Sequence, residues 1–138
     1  MARTSATVVL PTSADVVWET IGDFNRVADW HPAISASKLE ESGQLRRVSV
    51  TGGGESVERL TGQGPHWYSY QLVSGPMPVS EYAATLRVED APEGNATVKW
   101  SASYTPEGAS DADAEAAIRP FLEAGLDNLR RQFDRVPG

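Results

Sequence analysis

The sequence predicts an α+β fold: an antiparallel sheet with one face covered by a long C-terminal helix. Three observations carry this. Between Ser35 and Thr105 apolar and polar residues alternate with period two, so the strands have one wet and one covered face. Words such as "TGGGES", "SGPMPV" and "EDAPEGN" punctuate that stretch at intervals suited to a meander. The last segment then changes period: Ile118, Phe121, Leu122, Gly125, Leu126, Leu129 and Phe133 fall in one helical stripe, and Arg119, Glu123, Asp127, Arg130 and Arg131 face away.

Taken in order, "TSATVVL" is rich in β-branched residues and stops at Pro11, which predicts a first strand. "TSADVVWETIGDF" follows as a helix. Ser13 or Thr12 suits its cap, Asp15 suits its positive terminus, and Val16, Val17, Ile21 and Phe24 form its apolar stripe. Pro32 ends the helical connector, because the residue before a proline avoids helical angles. About six antiparallel strands come next. "LRRVSV" and "SVERLT" flank the glycine run, and "HWYSYQLV" puts Tyr68, Tyr70 and Leu72 on one face. "SEYAATLRVE" aligns Tyr82, Ala84, Leu86 and Val88, and "ATVKWSASYT" aligns Val98, Trp100, Ala102 and Tyr104. Ser110 and the acids after it suit the start of the last helix, and Arg130, Arg131 and Arg135 suit its end. Pro120 removes a backbone donor, which predicts a kink or a short separate turn before a main helix beginning near Arg119.

At 138 residues the chain is most simply one domain spanning 1–138. A net charge of −7 with scattered arginines repels phosphate backbones, so nucleic acid is excluded as a partner class. No apolar run approaches a bilayer span, and the apolar run near the N-terminus is too short for a secretory signal, so the expected location is cytoplasmic. Without cysteine there is no thiolate chemistry, and two isolated histidines provide no zinc site; no metal or cofactor is expected. "TGGGES" lacks the lysine of a phosphate loop, "DADAE" lacks the glycine and distal glutamate of a calcium loop, and there is no G-x-S-x-G elbow.

The words "ADVVWETIGDFNRVADWHP", "GGESVERL", "YSYQLVSGPMPVSEYAATLRV", "VKWSASYTP" and "AGLDNLRRQF" cover nearly the whole chain. Together they resemble the SRPBCC or START-like helix-grip superfamily, and most of all its bacterial polyketide cyclase/dehydrase-like branch. The resemblance implies a curved seven-stranded antiparallel sheet gripping the last helix, short helices after the first strand, and an internal apolar cavity. It also implies a small apolar or amphipathic partner of lipid, polyketide or isoprenoid type, and a monomer or homodimer with no integral membrane association. The alternative it leaves open is an enzyme of cyclase or dehydratase type.

The candidate site residues follow. His31 titrates near neutrality and sits beside Trp30, which the resemblance places near a cavity mouth; it is either an acid/base group or a backbone-bonded histidine shaping the turn before Pro32. Glu58 is mid-strand. An odd loop at the glycine run puts Val48 on its face and an even loop puts Arg47 there; facing inward it is a desolvated proton donor or a buried partner for an arginine, and otherwise it is an exposed or ion-paired carboxylate. Tyr68, Tyr70, Tyr82, Trp100 and Tyr104 form a wall of rings able both to fill a core and to touch a ligand. Leu122, Gly125, Leu126 and Leu129 are the helix residues facing that wall, with Gly125 offering either space or close packing.

Overall fold

The structure is a computed structural model that describes residues 2–76 and 78–133. Its elements run β1 (Ala2–Leu10), α1 (Ala14–Ile21), a 3-10 turn at Phe24–Arg26, α2 (Val27–Trp30), β2 (Ile34–Glu40), β3 (Leu45–Val50), β4 (Glu55–Gly64), β5 (Trp67–Ser74), β6 (Val79–Ala91), β7 (Asn95–Pro106) and α3 (Asp111–Phe133). The seven strands form one antiparallel sheet in the order β1-β7-β6-β5-β4-β3-β2. This is the predicted fold, with short helices after β1 and a long helix last.

Local chemistry explains the joints. Ser13 caps α1, its Oγ accepting from the Val16 amide at 3.3 Å, and Ser110 does the same for Asp113 at the start of α3 at 3.1 Å. Between β3 and β4 the glycines at 52, 53 and 54 all take positive φ, a region where a side chain would strain the backbone. Val50 donates to the Gly54 carbonyl across this hairpin, leaving a three-residue loop. The odd loop sets the parity left open by the sequence: Arg46 lies opposite Glu58, and Val48, Glu58 and Leu60 share a face.

That inner face packs on α3 through the buried side chains of Tyr68, Tyr70, Leu86, Val98, Trp100 and Tyr104 on the sheet, and Ile118, Leu122, Leu126 and Leu129 on the helix. Two details of the sequence reading are corrected. Val16 is 43% exposed; Ala14 takes its place beside Val17 and Ile21 in the buried stripe of α1. No separate turn precedes α3, which is continuous from Asp111 through Pro120. The proline and Ala116, whose carbonyl loses its donor, are both exposed, so water can satisfy the freed group. Arg130 and Arg131 occupy the last turn as expected, and Arg135 lies outside the described residues.

A candidate polar site beneath the sheet

The expected candidate residues converge on the inner face, around a residue the sequence reading did not single out. Arg46, on β3, is 1% exposed. Its Nε donates to Glu58 Oε1 at 2.7 Å, and its Nη1 donates to the Phe24 carbonyl at 2.6 Å and to the Tyr68 hydroxyl at 3.3 Å. The guanidinium lies 4.1 Å from the Phe24 ring centroid and 4.7 Å from that of Tyr70, within cation–π range. Burial alone would lower the pKa of Arg46, but Glu58 and the surrounding tyrosines hold it above its ordinary value, so the cation is permanent. Glu58 therefore faces inward as the buried partner of an arginine. The signal for Arg46 was present in "LRRVSV": once the hairpin parity puts Val48 inside, Arg46 must be inside too.

The ring wall surrounds this pair. The Tyr70 hydroxyl accepts from Trp100 Nε1 at 3.1 Å. Tyr82 stacks on Tyr104 with centroids 6.3 Å apart. Burial raises the pKa of Tyr68, Tyr70, Tyr82 and Tyr104, so each hydroxyl remains protonated and able to donate.

Trp30 and His31 point into the core. Each is 1% exposed. The Ala33 amide donates to His31 Nδ1 at 3.0 Å, which leaves the proton on Nε2; that nitrogen donates to the Phe121 carbonyl at 2.7 Å. The ring stacks on Phe121 at 4.1 Å and meets Trp100 edge-on at 5.7 Å. Burial lowers its pKa to about 4 despite the stabilising Phe121 carbonyl, and Arg46 pushes the same way, so His31 is neutral at pH 7 with both nitrogens engaged.

Gly125 explains how close the helix comes. A Cβ there would lie 2.7 Å from His31 Cδ2 and 3.0 Å from both Trp30 and Trp100 ring atoms. Of its two readings, close packing describes this position. Asn128 Nδ2 adds a bond to the Trp30 carbonyl at 2.8 Å, so the connector is tied to α3 at two points. Leu122, Leu126 and Leu129 are buried on the same helix face.

Three buried polar atoms remain without a partner among the described residues: Thr4 Oγ1, Trp30 Nε1 and the Tyr104 hydroxyl. Thr4 and Tyr104 are diagonal neighbours on the inner face, since Thr4 pairs with Ala102 and Ala2 with Tyr104. No group of three or more metal-ligating side chains occurs among the described residues, and no described helix is long and apolar enough to cross a membrane.

Comparison with known proteins places this arrangement. A family model described as polyketide cyclase/dehydrase and lipid transport matches residues 1–134. The protein XoxI of Bacillus cereus is similar in structure with a TM-score of 0.96 and 33% identity, over 98% of this chain and 97% of that one. A Bacillus thuringiensis protein is similar at 0.93 and 32% identity, over 96% and 98% of the two chains. The Zhui aromatase/cyclase of Streptomyces sp. R1128 shares the fold at a TM-score of 0.80 and 19% identity, over 97% and 94%. No curated protein matches. With a family model spanning nearly all of its sequence, the chain belongs to the polyketide cyclase/dehydrase and lipid transport family.

Proposed function

We propose that this protein binds a small amphipathic molecule between the sheet and α3, with the polar end of the guest against the unpaired polar groups of the inner face. The observation that carries this reading is the set of orphaned inner polar atoms, Thr4 Oγ1, Trp30 Nε1 and the Tyr104 hydroxyl. Buried donors and acceptors are almost always paired, and a guest with polar oxygens would satisfy these. The space between the tyrosine wall and α3 is taken up by Trp30, His31, Trp100 and Phe121, so binding requires these rings to shift.

Access is best supported where β5 and β6 part. They pair only from Trp67–Arg87 to Gln71–Ala83; Leu72 to Ser74 continue with β4 alone, and Val79 and Ser80 pair with β7 alone. A recess of about 240 Å³ fills the gap, lined by residues including Val73, Ser80, Glu81 and Tyr82. Glu81 takes φ 53° at the bulge that opens it.

Native mass spectrometry of the protein as purified, together with titration by 8-anilinonaphthalene-1-sulfonate, tests this. The expected result is a retained compound, or saturable dye binding that quenches tryptophan emission and is weakened by Tyr70→Ala. A protein that carries nothing and binds no dye while folded overturns it.

A further inference from the structure

The face of the sheet turned away from α3 carries a recess of its own, about 590 Å³ in volume. Strand register builds it. Ser5 lies opposite Ser101, Ser101 opposite Thr85, and Thr85 opposite Ser69, so four hydroxyls form one row across β1, β7, β6 and β5. One pair in the row is bonded, Ser69 Oγ to Thr85 Oγ1 at 2.7 Å. The floor is low because Ala83, Ser101 and Ser103 are small. It contains no large apolar side chain exposed to receive a lipid tail.

Charge sets the class of occupant. The chain has a net charge of −7, yet among the described residues the charged side chains lining this recess are Arg3 and Lys99, with no carboxylate. Among the described residues neither forms an ion pair, unlike Arg26, Arg46, Arg47, Arg59, Arg119 and Arg130. Arg3 lies opposite Ser103, four residues along β7 from Lys99. At about 3.4 Å per residue and 4.8 Å between strands, their Cα atoms are about 14 Å apart, with the hydroxyl row between them. A neighbouring, smaller recess shares Thr85, Lys99 and Ser101 with it and adds Arg87 and the carboxylate of Glu89.

We propose that this outer recess binds a phosphorylated polyol with an anionic group at each end, the class of a sugar bisphosphate. The two cations take the terminal oxyanions, and the serine and threonine hydroxyls, each both donor and acceptor, take the hydroxyls between. The volume is in the range of small-molecule sites. This site is on the opposite side of the sheet from the Arg46 cluster and is independent of the interior reading.

The test is an NMR titration of the ¹⁵N-labelled full chain with fructose 1,6-bisphosphate, fructose and inorganic phosphate. Saturable shifts centred on Ser5, Thr85 and Ser101 are expected with the bisphosphate below about 10 mM, a range in which weak specific sites are occupied. Fructose should give none, and phosphate should bind at least about tenfold more weakly. Arg3→Glu and Lys99→Glu, both at exposed positions, should each weaken the bisphosphate about tenfold, more at low salt than at high, with unchanged spectra elsewhere. Ser101→Leu should block binding by filling the floor. Absence of saturable shifts, shifts centred on another surface, insensitivity to both charge reversals, or phosphate binding as tightly as the bisphosphate would each overturn the proposal.

Discussion

His31 should make this protein acid-sensitive in a defined window. In the unfolded chain its imidazole titrates near 6.5; in the fold burial lowers that to about 4. Between these values the unfolded state binds a proton that the folded state does not, so stability rises with pH and is lost as pH falls from about 6.5 toward 4. The contribution is fully present above 6.5. At about 1.36 kcal/mol per pKa unit the whole window is worth about 3 kcal/mol, of which about 2 kcal/mol is lost between pH 7 and pH 5. His31→Gln removes the titrating ring but keeps a side chain that can donate to the Phe121 carbonyl. Urea denaturation at pH 7 and pH 5 measures the loss in each protein. Both contain His66 and the same carboxylates, so the difference between the two pH dependences isolates His31. The wild type should lose about 2 kcal/mol more than the variant over that interval. Equal losses, or a greater loss in the variant, would show that the buried ring accepts a proton in the folded state, and the hydrogen-bond assignment would fail with it.

Gly125→Ala should lower stability by about 1–3 kcal/mol in thermal unfolding, because overpacking three clamped rings outweighs the roughly 1 kcal/mol gained in helix propensity. Arg46→Met should cost about 3–5 kcal/mol by leaving Glu58 buried without its partner, and Arg46→Met with Glu58→Leu should recover much of that loss in chemical denaturation. Ser13→Ala should cost about 1 kcal/mol by freeing the Val16 amide, measurable as a small downward shift in Tm.

Much of the fold was legible because alternation and helical period are one-dimensional signals. "ATVKWSASYT" and "SEYAATLRVE" reveal their buried faces without a partner, and so does the stripe from Ile118 to Leu129. The interior was legible only in part. Tyr68, Tyr70, Tyr82, Trp100 and Tyr104 all face inward, but the parity of Glu58 depended on a loop count that three glycines in a row do not reveal. Arg46 was missed because a charged residue next to another charged residue reads as solvated, and its burial is compensated by Glu58 and a Phe24 carbonyl that are distant in sequence. Pro120 does not split off a separate turn: local propensity argues for a break, but tertiary packing of the buried stripe holds the helix through it.

The bonds from His31 to Phe121 and from Asn128 to Trp30 span 90 and 98 residues. A ribosome makes Trp30 and His31 before strands β2–β7 and their partners after them, so a nascent chain holds two aromatic side chains with nowhere to dock until α3 has emerged. Helix α3 thus acts as a clasp that closes only after the sheet has been made. A chain terminated before Phe121 should co-precipitate with chaperones during translation, and one extended through Phe133 should be released from them.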